Sequence, residues 1–309
     1  MNAYNFIMPI LLFLFSCQQE VNNEVVSKPA NKSEIVNEVM DCPDYLLQRK
    51  NDNLNVSILL DLSDRIELPN QQIKDSAYIS SLAKVFNAHI KSKKLGLLYD
   101  KMEVFFEPVP LDKRINKMSE LLKVSYVRGV SKNEWMPKTS KLYDSIPSEI
   151  YNLVKQKAGR KGYPGSDTWR FFKDHVKDYC IEECRRNILV VLTDGYMYYD
   201  GGEMQKGNKT SYLTPKTLRD LKLNNENWEE QMVKRDLGFI TATNHLEDLE
   251  VLVIGITDQN KENPYAVDII KAYWSDWLEN MGVTSDRYKI KTADIPSSIE
   301  KVIYDFIKK

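Results

Sequence analysis

Two short apolar runs in this chain each end in a carboxylate, and the side chains that follow are oxygen donors of the kind that hold hard cations. The first run, Asn55-Val-Ser-Ile-Leu-Leu60, leads into Asp61-Leu62-Ser63-Asp64-Arg65. The second, Asn187-Ile-Leu-Val-Val-Leu192, leads into Thr193-Asp194-Gly195. Asp61 and Ser63 stand two apart on one loop and can face the same point. Asp194 arrives from a different strand end. Magnesium takes oxygen ligands in near-octahedral geometry and keeps several waters, so a few hydroxyls and carboxylates from separate loops suffice for it. The alternative role for Asp61 and Asp194 is to cap the helices that follow their strands, which Asp and Ser also favour.

The elements that must position these residues can be read from the runs themselves. Each is too short for an ordinary helix and reads as a strand buried on both faces, as in a parallel sheet. In open parallel sheets, ligands sit in the crevice beyond the carboxyl ends of the strands. Helical patterns follow at 71–94, 115–122, 141–157, 167–179, 265–281 and 296–309, the last with a proline in its first turn. The first carries Ile73, Leu82, Val85, Phe86 and Ile90 on its apolar side. Further strands are expected at 102–106, 249–256 and 288–291, and a hairpin around Gly201-Gly202 beside the second motif. This is an α/β chain whose buried strands suit a mostly parallel sheet flanked by helices.

Asp-x-Ser after one buried strand, with Leu-Thr-Asp-Gly after another, resembles the von Willebrand factor A (vWA) domain family. The family is a doubly wound, Rossmann-like α/β domain with a metal-ion-dependent adhesion site on top of its sheet. The resemblance covers residue 54 to the C-terminus. It implies that Asp61, Ser63 and Asp194 are metal ligands. A hydroxyl from Gly165-Ser166-Asp167-Thr168 would complete the set, with Ser166 the better register and Thr168 its alternate. The ion implied is Mg2+ or Mn2+. Where the family pattern has a second serine, this chain has Arg65. Asp64 can supply an oxygen in its place, or Arg65 can pair with Asp194 or Asp167 in a metal-free scaffold of the same fold. In the family, an acidic side chain of a protein partner completes the metal shell, and here Arg65, Tyr196 and Tyr198 are expected to contact that partner. The interval 111–162 is longer than in compact members, so an insertion is expected there.

The function that follows is a protein-interaction module, not an enzyme. A phosphohydrolase of the haloacid-dehalogenase type also places an Asp after strand one, but it needs Asp-x-Asp, and position 63 is Ser. His89, His175 and His245 have no triad or zinc context. A formal net charge of −1 provides no bulk field for nucleic acid.

Ahead of the domain, residues 6–15 form an apolar stretch shorter than the about 20 residues a membrane span needs. It ends in Leu14-Phe15-Ser16-Cys17, which resembles a bacterial lipoprotein cleavage box, although its n-region lacks Lys and Arg. Residues 1–16 are thus expected to be a signal peptide and Cys17 the lipidated residue, palmitate included. Residues 17–50 would be a polar tether, and 51–309 the domain, held at the cell envelope on a bacterial membrane, the outer one expected. In that oxidising setting Cys42 is expected to bridge to Cys180 or Cys184, with a local Cys180–Cys184 bridge as the alternative.

Overall fold

The computed structural model describes residues 42–258 and 262–309. The expected signal peptide, Cys17 and the tether up to residue 41 lie outside the described residues. In chain order the elements are α1 (Asp44–Leu47), β1 (Leu54–Leu60), α2 (Gln71–Ser92), β2 (Tyr99–Phe105), α3 (Lys113–Leu121), β3 (Val124–Val127) and α4 (Lys132–Lys161). Then come α5 (Thr168–Asp174), α6 (Val176–Cys180), β4 (Arg186–Leu192), β5 (Gln205–Lys206), β6 (Lys209–Thr210), α7 (Pro215–Asp220) and α8 (Trp228–Lys234). The chain closes with β7 (Gly238–Phe239), β8 (Leu249–Ile256), α9 (Ala266–Asn280), β9 (Tyr288–Thr292) and α10 (Pro296–Ile307).

Six strands form the central sheet in the order β3-β2-β1-β4-β8-β9. All pairs are parallel except β2–β3 at one edge. The order runs outward in both directions from β1 and β4, so the architecture is doubly wound and the switch point lies between those two strands. Strands β1, β4 and β8 are buried at every position, the signature of a sheet covered on both faces. Val56, Ile58 and Leu60 of β1, with Ile188, Val190 and Leu192 of β4, pack into the core shared with α2, α4 and α10. Leu59, Leu189 and Val191 point the other way, into a core closed by α9 and its Trp274 and Trp277. Such near-complete burial of aliphatic side chains, each contributing about 1.5–3 kcal/mol, is what holds the strand ends in register.

Several expectations are corrected. Ile73 is 66% exposed; the buried face of α2 near its start is instead polar, with Gln71, Asp75 and Tyr78. Within the interval 111–162, where an insertion is expected, β3 joins the central sheet and α4 packs on its face. Pro137 and Pro147 lie inside α4, where each removes one backbone donor. The burial of Tyr143, Ile150, Tyr151 and Val154 along the same helix offsets that loss. The hairpin beyond the second motif turns at Gly207-Asn208, between β5 and β6, while Gly202 only closes a turn onto the Tyr199 carbonyl.

Residues 42–50, expected as tether, include α1 and are fastened: Cys42 is disulfide-bonded to Cys184, leaving Cys180 free and buried. Cys184 lies just before β4, at the amino-terminal edge of the sheet, opposite the strand ends that carry Asp61 and Asp194. No helix among the described residues is long and apolar enough to cross a membrane.

Candidate functional site

The carboxyl ends of β1 and β4 are joined before their loops begin. Leu60 pairs with Leu192 in the ladder, and the Asp61 N–H continues it to the Leu192 carbonyl at 3.1 Å. The Thr193 hydroxyl donates to Asp61 Oδ2 at 2.9 Å. The other Asp61 oxygen accepts the Ser63 N–H at 2.9 Å, closing a turn over the loop. Asp194 makes the matching turn, its Oδ1 accepting the Tyr196 N–H at 3.1 Å. Each carboxylate therefore closes a turn in its own loop, whereas the residue that caps the short helical turn Asp64–Glu67 is Ser63 and not Asp61, as the capping alternative had it.

Two further chain segments are stitched to these loops by three isolated β-bridges. Leu62 pairs with Gly165, Ser166 with Tyr198, and Met197 with Leu213. The result is one cleft of about 470 Å³ at the top of the sheet, lined by Ser63, Asp64, Ser166, Asp194, Tyr163, Tyr196 and Tyr198 among others. The sequence-predicted residues Ser63, Ser166 and Asp194, spread over more than 100 positions of the chain, are thus brought to one surface.

The remaining predicted residues stand differently. Asp61 is 2% exposed and sits behind the cleft wall. Its burial pushes the carboxyl above its usual range, an effect opposed by the charge of Arg65 and by the bonds from Ser63 and Thr193. Thr168 is buried, its hydroxyl 3.2 Å from that of Ser166. Asp167 caps α5 through the Arg170 N–H. Arg65 is not a partner contact: it is 1% exposed, and it pairs with Asp75 of α2 rather than with Asp194 or Asp167. Tyr196 shows only an edge, its hydroxyl on Asp258, whereas Tyr198 is 45% exposed with its hydroxyl 2.8 Å from Glu203.

The donor set facing the cleft consists of hydroxyl and carboxylate oxygens with no sulfur or imidazole, which fits a hard divalent cation. Among the described residues no cluster of three or more His, Cys, Asp or Glu side chains is gathered for a metal. Any ion here would therefore depend on Ser63 and Ser166 as much as on Asp194.

Two glycines make the close packing possible. Gly195, the last residue of Leu-Thr-Asp-Gly, has φ +97°, and a side chain there would collide with Ile270 and Ile256. Gly255 has φ +113° at the bulge in β8, where a Cβ would lie 2.5 Å from the Thr193 carbonyl oxygen. Sequence reasoning passed over Tyr163, Thr193 as a link and Asp75. Thr193 was visible in its motif; Asp75 had no signal, because only the fold brings α2 under the loop.

No family model matches the chain, and no curated protein does. Solved structures with similar backbones include the pilus adhesin SpaC from Lactobacillus rhamnosus GG, at 12% identity and TM-score 0.41. That match covers 83% of this chain and 30% of the adhesin, so the chain spans under a third of the adhesin's length. An aerotolerance-related membrane protein from Bacteroides fragilis is 14% identical at TM-score 0.35, over 83% of this chain and 98% of its own. The PilB minor pilin from Streptococcus sanguinis, in a D319A form, is 13% identical at TM-score 0.34, over 83% and 61%.

Proposed function

We propose that this chain is an exported, lipid-anchored, vWA-like domain that engages a protein partner at the cleft on top of its sheet. One observation carries the reading: four loop segments converge so that Ser63, Ser166 and Asp194 line a single cleft whose rim holds the exposed Tyr198. Tyrosine offers a large amphipathic contact surface at low entropic cost, which is why binding patches favour it.

In this reading Ser63, Ser166 and Asp194 hold a Mg2+ or Mn2+ ion, with Asp64 as a further oxygen and Asp61 in support behind them. The ion would supply a point of positive charge for an acidic side chain of the partner. No catalytic role is assigned to any residue. The lipid anchor rests on the Cys17 motif in the sequence, and it would place the domain at the cell envelope.

A second reading, the metal-free scaffold, is favoured by the wholly buried Arg65–Asp75 pair, a permanent cation under the loop. Crosslinking and pull-down of the full chain from membranes, with chelator and after Mg2+ is restored, separates the two. Capture lost with chelator and with Asp194→Ala supports the metal-mediated reading. Capture indifferent to chelator but lost with Tyr198→Ala supports the scaffold. Capture unchanged in both variants would remove the cleft as the binding site.

A further inference from the structure

Arg65 follows Asp61 and Ser63 on the same loop, yet its side chain turns inward and is wholly buried with that of Asp75. Nη1 donates to Asp75 Oδ2 at 2.8 Å and Nη2 to Oδ1 at 3.3 Å, a two-pronged contact that fixes the guanidinium plane. Nη1 also lies 3.4 Å from the Asp61 carbonyl oxygen. The Asp75 carboxylate takes two further bonds, from Gln71 Nε2 at 2.9 Å and from the Tyr151 hydroxyl at 2.7 Å. On the far side, Nη2 packs against Gly255, where a Cβ would lie 3.4 Å away, an ordinary contact distance. Arg65 Nε has no acceptor, so the side chain is not placed to maximise its hydrogen bonds. It is placed to hold a charge between Asp75 and the Asp61 loop.

The charges explain why. Two buried carboxylates, Asp61 and Asp75, flank one guanidinium. A carboxylate buried without a nearby cation would be strongly disfavoured. Where a divalent ion on the cleft side could balance Asp61, this chain already carries a cation on the protein side. A fixed positive charge next to the ligand loop also repels an incoming cation.

We propose that Arg65 is the resident counter-cation of this site. It holds the Asp61–Arg65 loop in its binding shape before any divalent ion arrives, and it lowers the affinity of the cleft for that ion. The proposal deepens the metal-mediated reading above and rests on it only for the identity of the ion. Its consequence is a domain that folds without metal and exchanges the ion readily.

The test is calorimetric titration with Mg2+, plus thermal melts with Mg2+ or chelator, on the full chain and on two variants. Asp75→Asn leaves Arg65 with one fewer anion, so Mg2+ should bind several-fold more weakly than to the native chain. The double variant Arg65→Met with Asp75→Asn removes the pair as a unit while keeping an acceptor for Tyr151 and Gln71. Mg2+ should then bind several-fold more tightly than to the native chain, because the cation removed touches the Asp61 loop while the anion removed with it lies beyond that cation. The melting temperature should also become ion-dependent by roughly 3–5 °C, against little change in the native chain. Equal affinity in all three proteins would overturn the proposal while leaving the metal reading intact. Binding only in the double variant would support the proposal and remove metal from the native function. No binding in any of them would remove both. If the double variant fails to fold, weaker binding by Asp75→Asn supports the proposal and unchanged binding overturns it.

Discussion

The hydroxyl of Thr193 lies 2.9 Å from Asp61 Oδ2, joining the two strand-end motifs directly across the switch point of the sheet. Both residues are buried, at 0% and 2% exposure, so no water replaces the bond when it is broken. The Thr193 oxygen also accepts the Gly195 N–H at 3.0 Å, which couples the link to the second loop.

Thr193→Val keeps the shape and removes the hydroxyl. An unsatisfied buried carboxylate oxygen costs about 1–3 kcal/mol or more. The variant should lose that much in urea denaturation, and its Asp61 loop should show faster amide exchange. Unchanged exchange at Leu62 and Ser63 would show that the link does not hold the loop.

Gly255→Ala places a Cβ against the backbone carbonyl of Thr193 and forces a residue with a side chain into a left-handed conformation. About 1–3 kcal/mol of backbone strain is expected, in addition to the collision. The melting temperature should fall, whereas Gly207→Ala at the exposed hairpin tip, with nothing within 4 Å, should cost less. Equal losses in the two variants would contradict the close approach of β8 to the Thr193 strand end.

At the opposite edge of the sheet, Asp100 accepts the Leu54 N–H and pairs with Lys93 at 2.6 Å and His89 at 3.2 Å. Burial pushes its carboxyl up, but the His89, Lys93 and Leu54 bonds together outweigh this and hold it below the usual 3.8. A depressed folded value means that stability is present above the unfolded value and is lost as pH falls through the lower, folded one. Asp100→Asn should therefore cost about 1–3 kcal/mol at pH 7, and the gap to the native chain should close below pH 3.8. A gap that is constant from pH 7 to pH 2 would mean that the charge of Asp100 is not what stabilises this edge.

The Cys42–Cys184 bridge spans 142 positions, and the chain-entropy model assigns such a loop about 5 kcal/mol. Cys42→Ser should lower stability by a large part of that. The Cys180 thiol, fully buried and pushed up to about 12, should resist alkylation in the native chain and react only after denaturation. Urea denaturation reads the first point, and peptide-level mass spectrometry after alkylation reads the second. Native labelling of Cys180 would contradict its burial.

The strands were legible in the chain because burial on both faces leaves a near-continuous aliphatic run, as at Ile188–Leu192 and, interrupted only by Ser57, at Val56–Leu60. Asp61, Ser63 and Asp194 were legible as candidate-site residues because a parallel sheet presents its strand ends to ligands whatever the loops contain. Ser166 was legible only through resemblance, since nothing local to Gly165-Ser166-Asp167-Thr168 says what it faces. Edge strand β3 went unseen because Val124-Ser-Tyr-Val127 is too short to separate from the helical patterns around it.

The sequence by itself determined the layered α/β architecture and which strand ends carry oxygen donors, since both follow from local composition and from the burial that composition demands. Only the tertiary structure decided which donors share a cleft. It also turned Arg65 inward to Asp75, set Asp61 behind the cleft wall and chose Cys184 over Cys180. Those outcomes depend on distances between segments far apart in the chain, which packing sets and residue spacing does not encode.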